Sequence, residues 1–271
     1  MPSGAVVDSH CHASPNWYCP VESLLYELDC NGVAQAVLTQ VVGETDNAYL
    51  LDCARRFRGR LAVVVWVESR RDDAVRALEH LIDAGASGAR LRATDRALGD
   101  DPLSVWRTAE RLGTPVTVRG EPGDFLSNDF AALLGELPEL RVVIEHLGTR
   151  NLPHTDAAHH ALQARVLELA RFPNVYLKVH GLGEFCEKAG PPFGPFPFVR
   201  PIPPLLRLAY EAFGPSRLLW GSDYPLVAAR EGYGKALRLT MAEVATINTA
   251  AVRPIFGDTA RTLFWSSAKR E

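Results

Sequence analysis

Eight short apolar runs, separated by longer segments with helical spacing, predict an α/β protein: a (β/α)8 TIM barrel of parallel strands with short C-terminal helices. The 271 residues suit one such barrel, for which roughly 250 are typical. No linker-like, repeated or low-complexity tract divides them, so residues 1–271 read as a single domain. Three polar motifs, each closing an apolar run, are the third sign. In a barrel that end of the strands is where reactive groups gather.

The first run, Ala5–His10, is followed by Ala34–Gln40, Leu61–Val67, Gly88–Arg92, Pro115–Arg119, Arg141–His146, Asn174–Val179 and Arg217–Ser222. Most are rich in Val, Ile or Leu with few polar interruptions, as strands buried on both faces should be. Between them, Val21–Asn31, Asp72–Ala84, Leu103–Leu112 and Asp156–Arg171 carry helical spacing. Pro20 suits a helix start, while Gly32 and Gly113 stand where a helix can end. Strands alternating with helices imply parallel pairing through right-handed crossovers. An open doubly wound sheet would show the same periodicity, but eight units fit a closed barrel better. Beyond the eighth run, Glu231–Leu239, Ala242–Ile255 and Asp258–Ser266 read as short helices packing over the barrel. The Pro- and Phe-rich stretch Pro191–Phe198 is no helix interior. It reads either as a wall or lid of the pocket or as a rigid connector.

Composition excludes several partner classes. Net charge is −3, from 29 basic and 32 acidic residues interspersed along the chain, so there is no basic footprint for nucleic acid. No apolar run approaches the roughly 18 residues of a membrane span. Met1-Pro2-Ser3-Gly4 lacks the basic start and apolar stretch of a signal peptide. Cys11, Cys19, Cys30, Cys53 and Cys186 are odd in number and irregularly spaced. They read as free thiols of a reducing compartment, which points to the cytoplasm. A small molecule is the expected partner. The oligomeric state is left open, a homo-oligomer included.

The first motif is Asp8-Ser9-His10-Cys11-His12. Residues i and i+2 of a strand share a face, so His10 and His12 project together as two vertices of a divalent metal site. Cys11 points the other way and reads as packing. The second is Glu145-His146-Leu147-Gly148, a histidine closing an apolar strand. The third is Gly221-Ser222-Asp223-Tyr224-Pro225, whose aspartate needs a partner if it is buried. Each motif alone is as consistent with a hydrogen-bonded core residue. Three at the ends of strands one, six and eight point to an active site.

These motifs, with Asn174-Val175-Tyr176-Leu177-Lys178 and Ile255-Phe256-Gly257-Asp258-Thr259-Ala260, resemble the amidohydrolase-related family over nearly the whole chain. That family includes an aminocarboxymuconate-semialdehyde decarboxylase group and a group of sugar and pyrone-dicarboxylate lactonases. The resemblance implies a (β/α)8 barrel with His10, His12 and Asp223 at metal or catalytic positions and His146 beside the substrate. There is one departure. The decarboxylase branch carries a metal-binding histidine at the end of strand five, where this chain has Arg119, a poor ligand. The lactonase branch also lacks that histidine, and some of its members work without metal. One divalent ion, zinc first, is the cofactor the resemblance implies, on His10, His12 and Asp223.

Arg90 and Arg92 share a face of strand four and Arg119 ends strand five. Guanidinium groups pair in bidentate fashion with carboxylates. Arg90 and Arg119 are therefore candidates to hold an anionic substrate, with ion pairing in the barrel mouth the competing role. His180, just past strand seven, is a further candidate for substrate contact, while His159 and His160 read as solvated on a surface helix. The expected reaction is hydrolysis of a lactone or similar cyclic ester bearing a carboxylate. Asp223 would act as general base, and His146 would donate to the oxyanion. Metal-dependent decarboxylation of an unsaturated or aromatic acid is the alternative. Amide hydrolysis and a binding-only barrel are further ones.

Overall fold

The eight runs form eight parallel strands in the computed structural model, which describes residues 5–149, 157–190 and 194–265. They are β1 (Val6–Cys11), β2 (Val33–Thr39), β3 (Leu61–Trp66), β4 (Gly88–Arg92), β5 (Val116–Arg119), β6 (Val142–Ile144), β7 (Val175–Val179) and β8 (Leu218–Trp220). Each strand pairs with its neighbour in sequence, in the order of a barrel. β-Branched residues buried on both faces hold this arrangement, since crossover helices cover the outside. Those helices include α1 (Val21–Asn31), α2 (Ala48–Arg56), α3 (Ala74–Asp83), α4 (Ser104–Arg111), a single turn α5 (Pro122–Phe125) and α6 (Asn128–Glu136). The rest are α7 (Ala157–Val166), α8 (Leu205–Phe213), α9 (Tyr233–Ile247) and α10 (Thr259–Phe264). Helix α1 has the expected bounds and ends on Gly32 at φ 68°, a left-handed conformation that glycine adopts without steric cost.

The differences from expectation have local causes. Strands β6 and β8 stop at Ile144 and Trp220, short of the expected His146 and Ser222, and left-handed backbone follows at His146 and at Asp223. The helix expected from Asp156 is α7 followed by a 3-10 turn over Leu167–Arg171, and Asp156 itself lies outside the described residues. The break expected near Leu239–Ala242 is absent. Thr240 is buried and its hydroxyl donates to the His180 carbonyl, so α9 continues to Ile247. It stops at Asn248, whose side-chain oxygen accepts from the Ala250 amide and opens a 3-10 turn. Within α10, Ala260, Leu263 and Phe264 join Val7, Val37, Ala62, Val64, Val143 and Leu219 in a separate cluster that fills the N-terminal end of the barrel. Ser266, expected in that helix, lies outside the described residues, as do 191–193 of the Pro- and Phe-rich stretch. Its described part is tied down by Ala189 donating to Pro197 and Val199 donating to Glu187.

Among the described residues the barrel closes between β8 and β1 through one side chain and the turn after β8, not through a strand ladder. Asp8 Oδ1 accepts from the amides of Ser222 (2.9 Å) and His10 (3.1 Å). Its Oδ2 accepts from the hydroxyls of Ser222 (2.6 Å) and Tyr233 (2.9 Å). Backbone bonds continue the seam, Asp223 N to His10 O at 2.8 Å and His12 N to Tyr224 O at 2.7 Å. Gly221 is obligatory here, since a Cβ would stand 2.6 Å from His10 Cβ. Asp8→Ala leaves buried donors without an acceptor, each worth about 1–3 kcal/mol. The variant is expected to unfold at a markedly lower denaturant midpoint, measurable by urea titration, with the seam residues losing amide-exchange protection first.

Candidate active site

The upper half of the barrel interior is polar because alternate residues of each strand face inward. On strand β7 and its continuation these are Tyr176, Lys178 and His180. On β4 they include Arg90, and on β6 and its extension Val143 and Glu145. In β1 a register irregularity between Asp8 and Cys11 breaks the alternation. Val7 packs inside the barrel floor, Asp8 turns to the seam, and His10 and His12 return to the interior. Their rings lie 4.9 Å apart at 90°. The Nε2 atoms of His10 and His12 stand 3.9 Å and 3.6 Å from Asp223 Oδ1. The ring of His146 is 5.1 Å from that of His10. The four residues expected to form one site therefore do meet in one place. Cys11 faces outward, its thiol donating to the Val37 carbonyl at 3.3 Å.

His146 and Asp223 are held by strained backbone. Apart from Leu147, they are the described non-glycine residues with positive φ, at 52° and 59°. Left-handed backbone is uncommon outside glycine and concentrates at functional sites. Gly148 continues the first turn at φ 79°, and a Cβ there would stand 2.5 Å from Val166. The turn at Asp223 is fixed by its own amide donating to His10 and its carbonyl accepting from Val227.

Each imidazole has a distinct partner. His12 Nδ1 lies 2.6 Å from the Thr39 carbonyl, which requires Nδ1–H to donate and turns Nε2 toward Asp223. His146 Nδ1 lies 3.0 Å from Glu184 Oε1. His10 Nδ1 is 2.9 Å from Lys178 Nζ. His180 stacks on His146 at 4.1 Å, and neither of its ring nitrogens has a hydrogen-bond partner. Burial pushes His146 down to about 4 and His180 down to about 3, so both are neutral at pH 7. It also lowers Lys178 to about 8 and raises Glu184 to about 7. For Asp223 burial acts upward, but hydrogen bonding from His12, and the charge that His146, His12 and His180 carry once protonated at low pH, hold the carboxyl well below its usual range.

The arginines sort differently from expectation. Arg90 donates through Nε (3.0 Å) and Nη2 (2.6 Å) to the Glu145 carboxylate, and through Nη1 (2.7 Å) to the Gln40 carbonyl. It forms a buried ion pair, the competing role, and all three of its nitrogens are engaged. Although burial opposes it, Arg90 and Lys178 bring the Glu145 carboxyl down to about 2. Arg119 pairs in register with Arg92 at the ends of β5 and β4. Its charge reaches Tyr18, whose ring stacks on His12 at 5.4 Å. Arg92 stands over the Trp66 ring at 4.7 Å. His159 is half-buried, not solvated, with Nε2 2.9 Å from Thr149 Oγ1, and His160 is half-buried too.

Residues without an expected role fill out the site. Asp8 and Lys178 carried a signal, a charge inside a buried apolar run. Glu184 and Arg230 lie on the loops after β7 and β8 and carried none. Ligand atoms of His10, His146 and Asp223 lie within 4.8 Å of one another and could hold a metal ion. So do those of His146, His180 and Glu184. His12, expected as a ligand, falls outside both groups, although its Nε2 faces the same Asp223 oxygen. His10 Nε2 and Asp223 Oδ1 are buried without any hydrogen-bond partner, which fits a divalent ion between them.

The Amidohydrolase family model matches residues 7–265. The chain belongs to the amidohydrolase family. L-fucono-1,5-lactonase of Burkholderia ambifaria is 31% identical over 247 residues, covering 81% of this chain and 80% of that one. Among solved structures, an amidohydrolase from Burkholderia multivorans with bound HEPES superposes with a TM-score of 0.77 at 22% identity, over 97% of this chain and 99% of that one. A second structure of it, with bound zinc, gives a TM-score of 0.76 at the same identity and coverage. A Pseudomonas putida protein named provisionally as a 2-pyrone-4,6-dicarboxylic acid hydrolase gives 0.71 at 23% identity, over 96% of this chain and 97% of that one. At these identities the superpositions show the barrel fold alone. Among its described residues, no helix of this amidohydrolase is long and apolar enough to cross a membrane.

If Arg90 serves Glu145 and not a substrate, Arg90→Met should destabilise the amidohydrolase by about 3–5 kcal/mol, because an unpaired carboxylate is left buried. Adding Glu145→Leu should restore most of that loss. Chemical denaturation of the two single variants and the double variant measures the coupling. Additive effects would remove the pair from the fold's support.

Proposed function

We propose that this amidohydrolase opens a lactone ring by hydrolysis, with Asp223 as general base. The observation that carries the proposal is the Asp223 carboxylate. It is fully buried and held ionised, with Oδ1 unpartnered and two imidazoles under 4 Å away. A buried carboxylate that stays ionised and keeps one oxygen open can orient a water and accept its proton in the transition state. The 31% identity to a fuconolactonase supports an ester ring as the substrate.

Asp223 Oδ1 orients a water and takes its proton as the water oxygen attacks the carbonyl carbon. The tetrahedral intermediate collapses by breaking the ring C–O bond, and Asp223 returns the proton to the leaving oxygen. His12, with Nδ1–H fixed on Thr39, turns its Nε2 toward the same water. His146 differs from expectation. While Glu184 is ionised it holds the Nδ1 proton, so neutral His146 turns a lone pair toward the substrate and does not donate to an oxyanion. Arg119, beside Arg92 at the mouth, is the side chain we assign to an anionic substituent of the substrate. His10, His146 and Asp223, with His12 beside them, would hold one divalent ion, for which we favour zinc. When bound, it supplies Lewis-acid polarisation of the ester carbonyl. The five unpaired thiols fit a reducing compartment, and we place the protein in the cytoplasm.

The test is a panel of sugar lactones, L-fucono-1,5-lactone included, and pyrone dicarboxylates, assayed for ring-opened acid with and without chelator. Asp223→Asn should lower kcat by about 100- to 10,000-fold and leave KM within a few-fold. Near-wild-type kcat in that variant removes Asp223 from the mechanism. Carbon dioxide release in place of ring opening would decide for decarboxylation. Metal analysis of the purified protein, with loss of turnover on chelation and recovery with zinc, would establish the ion.

A further inference from the structure

The side chain of Arg230 is only 10% exposed and enters the site from the turn after β8. Its Nη1 stands 3.4 Å from Asp223 Oδ2 and 3.5 Å from Glu184 Oε1. Its Nε and Nη2 have no hydrogen-bond partner in the protein. The nearest acidic oxygen to Nε, on Glu231, is 3.8 Å away, beyond hydrogen-bond reach. A guanidinium nearly out of solvent with donors unmatched is costly unless an acceptor arrives. Arg90, also buried in the barrel mouth, has all three nitrogens engaged.

We infer that Arg230 is a catalytic residue whose uncommitted N–H groups receive the substrate carbonyl oxygen as it becomes an oxyanion. The inference rests on the ring-opening reaction proposed above. Three considerations converge on it. Asp223 bridges its two tasks, since Oδ1 faces the imidazoles and the attacking water while Oδ2 faces Arg230. A carbonyl group attacked by that water therefore lies next to the guanidinium. The neighbouring imidazole of His146 shows a lone pair while Glu184 is ionised and cannot perform this donation. The charge balance also favours an oxyanion over a substrate carboxylate. A bound carboxylate would add a third anion beside Asp223 and Glu184. In the reaction, the water proton moves to Asp223 as the carbonyl π pair moves onto oxygen, so one negative charge passes from the Asp223 carboxylate to the substrate and the total beside Arg230 is unchanged. Collapse reverses the transfer: the C=O bond re-forms, the ring C–O bond breaks, and the proton goes from Asp223 to the leaving oxygen. Arginine stays protonated throughout.

The position of the guanidinium is itself fixed. Glu231 accepts from the Gly183 amide at 3.0 Å, and Gly181 and Gly183 leave room for its carboxylate where a Cβ would stand 2.1 Å from an oxygen. The loops after β7 and β8 are thereby locked together, with Glu184 on one and Arg230 on the other.

The experiment compares wild type, Arg230→Gln and Arg230→Lys on whichever lactone the wild type opens, with folding checked by thermal melting. Loss of one oxyanion donor costs on the order of 100- to 1,000-fold in kcat. That loss is expected for Arg230→Gln with KM little changed, a smaller loss for Arg230→Lys, and partial recovery of kcat when guanidinium is added to Arg230→Ala. Retained kcat with a raised KM, restricted to carboxylated lactones, would make Arg230 an anion anchor and overturn the inference while leaving the reaction intact. If Arg230→Gln does not fold, Arg230→Lys decides: unchanged kcat overturns the inference. Failure of the wild type on every lactone, with and without zinc, would sink ring opening and this inference together.

Discussion

The closure of the barrel at Asp8 is the constraint on which the site depends. Strands β1 and β8 are brought together by one buried carboxylate accepting from two amides and two hydroxyls. The residues it fixes are the site's immediate neighbours in sequence, His10 on one side of the seam and Asp223 on the other. Alternation after the inward Val7 turns Asp8 outward to the seam, and the irregularity that follows it sends His10 and His12 back in. A regular strand would keep all three on the outer face and take the imidazoles out of the site. One strand thus closes the fold and aims two imidazoles at an aspartate more than 200 residues later.

Charge is arranged in layers below and around that aspartate. Beneath the imidazoles, Arg90, Glu145 and Lys178 form a buried group in which burial alone would neutralise Glu145 and Lys178. The Arg90 guanidinium instead brings Glu145 down to about 2, and Lys178 remains near 8 with Glu145 opposing its desolvation. Lys178 Nζ lies 2.9 Å from His10 Nδ1. This layer is support, and its cost in desolvation is justified only if it fixes a ring orientation that an apolar floor would leave free. Above it, Asp223 Oδ1 and Arg230 Nε and Nη2 are buried without a hydrogen-bond partner. Partnered groups below and these unpartnered atoms above separate scaffold from the proposed reactive surface.

That separation explains what the sequence disclosed. Strand positions were readable because parallel strands buried on both faces must be nearly continuous apolar runs. His10, His12, His146 and Asp223 were readable because polar groups at the ends of such runs have few structural uses. Arg90 was ambiguous because the residue type is the same whether its partner is Glu145 or a substrate, and that partner lies 55 residues away. Arg230 and Glu184 were not readable at all. Their placement comes from Glu231 clasping Gly181 and Gly183, a contact between two loops with no periodicity. The continuity of α9 was hidden for a similar reason, since Thr240 is tolerated in its buried face only because the His180 carbonyl accepts its hydroxyl.

The positive φ angles at His146 and Asp223 follow from the same geometry. A side chain on a regular strand can point only into the barrel or out of it, and the interior at that height is already occupied by Arg90, Glu145 and Lys178. To reach over this layer, the chain must leave β6 at Ile144 and β8 at Trp220 and turn sharply. Left-handed backbone does so, over His146, Leu147 and Gly148 after β6 and at Asp223 after β8. The strain is contained because each turn is anchored, at Gly148 against Val166 and at Asp223 by bonds to His10 and Val227. Glycine at either position would relieve the strain and remove the reactive group. A β-branched residue would add to it. In the reaction proposed above, histidine and aspartate use that strained backbone to reach the water and the substrate.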